Sequence, residues 1–460
     1  MKSELPNEQR YLLLDNRIIE DTEKTKITLG IVEKHGSNPL FGEDKPWEAR
    51  FDNLYANVIY DKEENLYKCW YSPFIVDNSA LGMSLEERRQ KYWAPKNREM
   101  ALCYATSADG IVWEKPELGI VEFEGTTANN ILWRGEVWRE DETEKVWRGP
   151  HGTGVFKDAH ESDPNRRYKA LLKSNILSIA YSKDGIHWAP AIACPEADSA
   201  GDTHNNALWS DDIGKYVGIT RQWGKTSEKH VRQVARTSSE DFENWEKTEI
   251  VLEGLDTSKQ LYSMPIFQHA GLYLGIVAIH DQDTDRVWAE LTWSPDTKKW
   301  HRVLPGIPLI ANEGNEFDYD WGCIYTAANP VFLEDEIRIF YGASDGLHTG
   351  WRNGFLCLAT IRPDGFAGYS ADKELALITT TPVLNGDQFK VSADVQQDGE
   401  LIVRLLNDDR TIVCESQVIT QSVTDEPIIW QTKTDAHDSK NGRLQFIFRN
   451  ATIYSFCSQY

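Results

Sequence analysis

Cysteine pairs, long apolar runs and excess positive charge are all missing from this sequence of 460 residues. The seven cysteines are scattered without CxxC spacing and their number is odd, which argues against a zinc site and against a disulfide framework. No apolar run is long enough to span a bilayer. The formal charge of −23 repels nucleic acid and acidic membrane surfaces. We therefore expect a small-molecule or oligosaccharide partner, with no nucleic acid and no membrane.

A targeting signal is missing as well. Residues 1–10 contain no apolar core of signal-peptide length, so a cytoplasmic location is expected if Met1 is the native start. Aromatic residues, by contrast, are abundant, with 17 Trp, 18 Tyr and 16 Phe. Flat rings beside carboxylates suit sugar binding, because a ring stacks on the C–H groups of a sugar.

A short motif recurs along the chain. Residues 107–113 read Ser-Ala-Asp-Gly-Ile-Val-Trp, and residues 182–188 nearly repeat them. Asp-Gly suits a tight turn, and the following Trp begins the next strand with a large apolar anchor. Looser copies lie at 238–245, 293–300 and 362–366, so the acidic residues recur every 55 to 75 positions. A period of this length, with strands inside each unit, predicts blades arranged around an axis.

Alternation of apolar residues places two strands at the start of each unit. The predicted pairs are 57–61 with 66–71, 154–158 with 168–172, 206–210 with 215–220, 265–268 with 272–277, and 330–333 with 337–341. We predict an all-β protein, with a five-bladed β-propeller and N-terminal strands over residues 1–370. A small antiparallel β-sandwich follows over residues 371–460. The one helix signal is 84–90, inside an insertion.

Propeller geometry selects candidate site residues from the many acidic side chains. The residues just before each innermost strand converge on one mouth, as do the loops that join second and third strands. Glycoside hydrolysis needs one carboxyl to protonate the leaving oxygen and a second to attack or to activate water. We predict Asp52 as base or nucleophile and Asp202 as acid or pKa modulator. The third carboxylate is one of Glu316, Asp318 and Asp320, with Asp320 foremost. The predicted substrate-binding residues are Arg50, His151, His204, Arg221, Trp223, Tyr262, Asp281, Asp318, Trp321 and His348.

Each candidate also has a structural interpretation. Asp52 and Asp202 could cap strands by bonding nearby backbone, and Arg221 could be only a structural partner of Asp202. His151 and His204 could be hydrogen-bonded channel residues or could bind an ion. The acidic segment 313–320 could be a solvated loop. No cofactor and no metal ligands are expected, although the central channel leaves room for a structural cation.

The five predicted blades, the Ser-x-Asp-Gly-x-x-Trp turns and the C-terminal sandwich together resemble the glycoside hydrolase family 32 and family 43 group. The segments 50–53 (Arg-Phe-Asp-Asn) and 450–456 resemble uncharacterised bacterial members of that group. The Asn-Asp-Pro-Asn-Gly, Arg-Asp-Pro and Glu-Cys motifs are absent from the expected positions. The resemblance therefore implies catalytic roles at Asp52 and at Asp202.

The expected function is cleavage of a glycosidic bond, with a furanoside such as a fructofuranoside or an arabinofuranoside favoured. An exo mode is expected if the insertion 72–98 walls off one side of the mouth. Three alternatives stay open. A non-catalytic carbohydrate-binding propeller would show a single carboxylate at the mouth, and an interaction scaffold would show a large apolar patch on the rim. A sialidase-like hydrolase would need a triad of arginines, and none is evident in the sequence.

Overall fold

A computed structural model describes residues 8–77, 84–88, 97–135, 146–225, 230–384, 386, 388–433 and 441–459. The chain is all-β, with 54% of residues in strands and 3% in helices. Within the described ranges no helix is both long enough and apolar enough to cross a membrane. The predicted helix appears as Leu85–Arg88. The rest of the insertion lies largely outside the described residues, so the predicted exo mode stays a prediction.

Three separate sheets follow one another along the first half of the chain, and we call them units one to three. Their strands pair antiparallel, except that Val146–Arg148 runs parallel to Asn97–Ser107 in unit one. The first two strands of unit one have the predicted bounds. Unit one contains Asn57–Asp61, Leu66–Tyr71, Phe74–Val76, Asn97–Ser107, Ile131–Arg134 and Val146–Arg148. Unit two contains His151–Lys157, Tyr168–Lys173, Leu177–Ser182 and Ile192–Ala193. Unit three contains Asn206–Ser210, Lys215–Lys225, His230–Ser239 and Glu249–Leu252.

Units four and five form one larger sheet, because Val287 of unit four pairs with Cys323 of unit five. Unit four contains Lys259–Ser263, Ile266–His269, Leu272–Asp281, Arg286–Ser294 and His301–Arg302. Unit five contains Cys323–Thr326, Val331–Phe332, Ile337–Ser344 and Gly354–Ile361. Its outer edge comes from the N-terminal segment, where Glu33–Lys34 and Phe41–Gly42 pair with Gly354–Ile361.

The fold also contains an eleven-stranded sheet, which we call the C-terminal sheet. It is built on two long paired strands, Gln388–Leu406 and Asn441–Gln459. Alternate residues of the first long strand, from Phe389 to Leu405, point into one apolar core. The sheet also contains Glu8–Leu12, Ile19–Glu23, Lys26–Leu29, Ala367–Ala371, Ala376–Thr380, Val383–Leu384, Ile412–Ser416, Val423–Pro427 and Trp430–Lys433. The sequence prediction grouped the N-terminal strands with the units, whereas here the first three of them pair with the C-terminal sheet.

Hydrogen bonds link each unit to the next and return from the fifth to the first. Asn57 of unit one donates to Thr153 of unit two, and Asn205 donates to Gly152. Asn206 accepts from Ile266 of unit four. The remaining links are from Val287 to Gly322 and from Ala328 to Ala56. The loops that precede the first strand of each unit, which we call the mouth loops, are therefore held side by side.

The repeated turns share one bonding pattern. In the first, the Asp109 carboxylate accepts the backbone N–H groups of Ile111 and Val112 at 2.8 and 2.9 Å. The Trp113 indole donates to the carbonyl of Gly110 at 3.1 Å. The same bonds recur around Asp184, Asp241 and Asp296. The degenerate copy differs, because the Asp364 carboxylate instead accepts from Arg10, His269 and Ser455.

A glycine at one of these turns provides a stability test. Gly185 has a φ of 78°, and a Cβ there would lie 2.6 Å from Trp70 Cζ2. Gly214 has a similar φ of 69° but no atom within 4 Å. Gly214→Ala should cost about 1 kcal/mol for the left-handed backbone, and Gly185→Ala about 2–4 kcal/mol because overpacking is added. Urea unfolding of both variants measures the difference, and equal costs would contradict the close packing of unit two against Trp70.

Candidate functional site

The mouth loop before unit one is strained. Asp52, Leu54 and Tyr55 have φ values of 56°, 60° and 48°, in a region that bulky residues rarely adopt. The loop is held by several bonds, from Leu54 N–H to the Phe51 carbonyl and from the Ser344 hydroxyl to the Asp52 carbonyl. Strain of this kind persists only where the surroundings impose it, and it concentrates at functional sites.

Asp52 is held ionised by two arginines. Its Oδ1 accepts from Arg50 Nη2 at 2.6 Å and from Arg352 Nη2 at 2.7 Å. Burial alone would raise the pKa of Asp52, but Arg352, Arg50 and Arg98 together lower it to about 2. The side chain is 13% exposed, so one edge of the carboxylate remains open.

Asp202 lies at the mouth of unit three and is the more accessible carboxylate, with 36% of its side chain exposed. His151 Nε2 lies 3.1 Å from its Oδ1, Arg221 donates to its Oδ2, and Lys173 Nζ lies 3.6 Å away. Burial raises the pKa of Asp202, but the bond from His151 and the charges of Arg221 and Lys173 outweigh it and lower the pKa well below its usual range.

Two side chains connect these carboxylates. His151 hydrogen-bonds to Asp202 and also contributes to lowering the pKa of Asp52. The Tyr55 ring packs against His151 with centroids 5.3 Å apart. Burial raises the pKa of Tyr55, and the charges of Asp52 and Asp202 raise it further. The two carboxylates that the sequence singled out, from units one and three, therefore act on the same two side chains, His151 and Tyr55.

A second side of the site combines cations with aromatic rings, and we call Arg221, Trp223, Arg232 and Tyr262 the guanidinium wall. Strand alternation places Arg221 and Trp223 on the same face, and Arg232 pairs with Trp223 across the sheet. Both guanidinium groups lie 5.0 to 5.4 Å from the Trp223 and Tyr262 rings. Trp223 is 43% exposed, which leaves the indole accessible to a ligand.

A histidine pair closes the side next to unit five. The rings of His280 and His348 lie 4.1 Å apart. His348 Nδ1 shares a hydrogen bond of 2.7 Å with the Tyr325 hydroxyl, and His280 Nε2 lies 3.0 Å from Asp285 Oδ1. Burial lowers the pKa of both imidazoles, and each lies near arginines that lower it further. Tyr262, whose ring lies 4.7 Å from His348, joins this pair to the guanidinium wall.

The fifth-unit acids lie in other surroundings. Asp320 is buried and its Oδ2 lies 2.5 Å from Lys34 Nζ, while Tyr341 donates to it at 3.3 Å. Burial raises the pKa of Asp320, against the effect of Lys34. Lys34 comes from the N-terminal edge strand, so this contact could not be read from the local sequence. Glu316 and Asp318 are exposed, and Asp318 accepts from the Asn315 backbone.

Two further predicted residues make local contacts. Asp281 accepts from the Asp283 backbone and from the Thr284 hydroxyl, as a turn residue does. Trp321 packs against the Arg286 guanidinium at 4.9 Å. The contacts of Asp320, Asp281 and Trp321 do not include Asp52 or Asp202, so their predicted roles stay predictions.

His204 is buried beneath the site rather than lining it. Its Nε2 lies 3.2 Å from Asn57 Oδ1, and its ring packs 5.4 Å from Tyr55. Burial lowers its pKa to about 3, against the effect of a backbone bond at Thr326. The geometry favours the hydrogen-bonded channel interpretation of this residue.

The buried imidazole predicts a pH effect on stability. Below pH 6.5 the unfolded chain protonates this histidine while the folded chain does not, so unfolding becomes easier as the pH falls toward 3. When the pH is lowered from 7.5 to 4.5, the free energy of unfolding should fall by about 2–3 kcal/mol more in wild type than in His204→Gln. The control is His230→Gln, at an exposed histidine, which should follow the pH dependence of wild type. Urea unfolding at several pH values measures this, and identical profiles for wild type and His204→Gln would contradict the burial of a neutral His204.

Several site residues escaped the sequence analysis. Arg352 is buried and donates to both Asp52 and Asn53 at 2.7 Å, whereas His348 was the candidate that the sequence indicated in this loop. Arg98 and Arg232 lie near the starts of their strands with no motif around them. The sequence shows no evident arginine triad, but the fold gathers Arg50, Arg98 and Arg352 around Asp52.

One missed carboxyl has an unusual protonation state. Burial raises the pKa of Glu43 to about 7, although it accepts bonds from the backbone N–H groups of Phe51 and Gly354. Nearby Asp345 also raises this pKa. Its Oε1 accepts from the residue before Asp52 and from Gly354, so Glu43 helps to hold the strained mouth loop.

A cavity of about 700 Å³ lies at the opposite end of the innermost strands. It is lined by residues that end those strands, including Tyr60, Lys157, Asp158 and Trp209. The arginines and carboxylates of the mouth do not reach it, so we place the chemistry at the mouth. Across the described parts of the chain, no group of three or more His, Cys, Asp or Glu side chains is arranged to hold a metal ion.

This fold is similar to those of solved carbohydrate-active proteins. A structure from Bacteroides ovatus, provisionally assigned as a glycoside hydrolase, gives a TM-score of 0.50 at 12% identity and covers 74% of this chain and 98% of that chain. A structure reported under the GH130 family of mannoside phosphorylases, which contains hydrolases that target β-1,2 mannosidic linkages in Candida mannan, gives 0.49 at 16% identity, covering 72% and 94%. A provisionally assigned glycoside hydrolase from Parabacteroides distasonis gives 0.49 at 16% identity, covering 73% and 97%.

No protein-family model matches the sequence, and no curated protein matches it. At 12% identity, the similarity to the Bacteroides ovatus protein shows the fold alone. The three similar structures carry no family 32 or family 43 name, so that resemblance stays a prediction.

Proposed function

We propose that this protein is an enzyme that cleaves a glycosidic bond at the mouth formed by its five units. The observation that carries the proposal is the convergence of Asp52 and Asp202 on His151. Two carboxylates on one pocket are the minimum equipment for glycoside hydrolysis. A binding module would need the rings but not a second carboxylate, which makes the carbohydrate-binding alternative the weaker one.

The ionisation states suggest how the roles divide. Both carboxylates are charged in the free protein, because surrounding cations lower their pKa values. Asp52, fixed by Arg50 and Arg352, is assigned as the nucleophile at the anomeric carbon or as the base that activates water. The His151–Asp202 pair, in contact at 3.1 Å, is assigned to the delivery of a proton to the leaving oxygen, with the Asp202 carboxylate holding His151 in place.

The propeller architecture is part of the proposal. We infer five blades around one axis from the five units and from the hydrogen bonds that run from each unit to the next and back to the first. The Asp-type turns at similar positions in four units support the same arrangement. The C-terminal sheet is assigned as a packed support that carries none of the proposed catalytic residues.

A furanoside substrate, membership of the family 32 and 43 group and a cytoplasmic location complete the proposal, and no cofactor is required. The experiment that tests it is a screen of aryl furanosides and aryl pyranosides with wild-type protein and with a double variant, Asp52→Asn and Asp202→Asn. Release of the aryl group by wild type alone is expected. Equal activity of the two proteins would remove both carboxylates from the mechanism. Sugar binding without any turnover by wild type would favour the binding module.

A further inference from the structure

The guanidinium wall holds two positive charges close together. Arg221 and Arg232 approach the same two rings, Trp223 and Tyr262. Arg221 donates to Asp202, but Arg232 Nη1 donates at 2.8 Å to Gln260 Oε1, a neutral acceptor. Burial lowers the pKa of Arg232 and the charge of Arg221 lowers it further, against the effect of Asp202.

Donor atoms on this wall also lack acceptors. Arg221 is 5% exposed, yet its Nη1 has no hydrogen-bond partner among the described residues. Arg232 Nε is also buried and has no hydrogen-bond partner within the described residues. A buried donor left without a partner costs about 1–3 kcal/mol, and more when it is charged. An acceptor supplied by a ligand would remove this cost.

The wider site is cationic in a protein whose net charge is −23. Lys173 lies 3.6 Å from Asp202, which it shares with Arg221 and His151. Arg232 and Arg352 both act on His348 and lower its pKa. A concentration of positive charge at one mouth of an acidic protein attracts anions and repels cations.

We propose that the substrate is an acidic glycoside whose sugar carboxylate is bound by Arg221 and Arg232 while its ring stacks on Trp223. This inference rests on the proposed function and names its substrate class. A planar carboxylate matches the guanidinium fork, and the exposed indole offers a face for the sugar that bears it. A free phosphate carries a larger negative charge, so it would be repelled more strongly by Asp202, which is hydrogen-bonded to Arg221.

The test compares sugars that differ only in the acid group. Isothermal titration calorimetry with D-galacturonic and D-glucuronic acid, and with D-galactose and D-glucose, should give at least one acid that binds tenfold or more tightly than its neutral counterpart. Arg232→Gln should weaken binding of that acid by about 10- to 100-fold. Arg232→Lys should recover part of it, because the charge remains while the fork is lost.

A matched control is Arg166→Gln. Arg166 also stacks on a tyrosine, with Tyr181 4.1 Å away, but at a turn of unit two. This variant should bind the acid as wild type does, and circular dichroism checks that both variants fold. Inorganic phosphate is titrated separately. Binding of phosphate but not of the acids, equal binding of neutral sugars, or no binding of either acid would overturn the inference.

Failure of this inference and failure of the proposed function give different results. An acid that binds through Arg232 but whose aryl glycoside is never cleaved would overturn the proposed function and support the acid site. Cleavage of a neutral aryl glycoside with equal rates for wild type and Arg232→Gln would support the proposed function and overturn the acid site.

Discussion

Replacing Asp202 with asparagine should lower kcat by at least about 10³-fold on any glycoside that the protein cleaves. Asparagine keeps the shape of the side chain and can still accept a bond from Arg221, so the pocket should remain intact. It cannot exchange a proton with His151 or with a leaving oxygen. The expected signature is a large loss of kcat with KM changed only a few-fold, measured by aryl release.

The control for this prediction is Asp398→Asn, which changes an exposed acid where the strand Gln388–Leu406 shifts its register in the C-terminal sheet. Its kcat and KM should equal those of wild type. If Asp202→Asn retains more than about a tenth of wild-type kcat, proton transfer at Asp202 is wrong. The catalytic role would then pass to another group beside Asp52.

Replacing Arg352 with methionine should have the largest effect on stability. Its guanidinium is buried and bonds to Asp52, to Asn53 and to carbonyls of the 347–350 loop. Methionine leaves the buried Asp52 with one arginine less and several carbonyls without donors. Removing one partner of a buried ion pair typically costs about 3–5 kcal/mol, and urea unfolding should show a loss of this size.

The matched control is Arg17→Met. Arg17 also bonds an aspartate, Asp15, at 2.7 Å, but half of its side chain is exposed. Its loss should cost less than about 1 kcal/mol, because exposed ion pairs contribute little. Equal costs for the two variants would mean that the Asp52 loop is not held by Arg352.

Local patterns predicted much of the fold. The Asp-Gly turns could be read from sequence because each Asp bonds backbone only two or three residues ahead. The strand pair Asn57–Asp61 and Leu66–Tyr71 followed from alternation and a short polar turn. The positions of Asp52 and Asp202 followed from assuming that innermost strands begin at one mouth.

The parts of the site that the sequence did not predict depend on contacts between distant parts of the chain. Arg50 and Arg352 meet at Asp52 across 300 residues, and no local pattern marks such a pair. The ion pair of Lys34 with Asp320 arises because the N-terminal segment edges unit five. The guanidinium wall needed the strand register of unit three, which places Arg232 opposite Trp223.

The N-terminal segment has a consequence for the order of folding. Residues 33–42 edge unit five by pairing with residues 354–361, and residues 8–12 pair with residues 455–459. During synthesis residues 8–12 must wait, without their final partners, until residues 455–459 have left the ribosome. Such distant pairing is slow to form and exposes strand edges to aggregation. The pairing of these two segments is therefore a late event in folding.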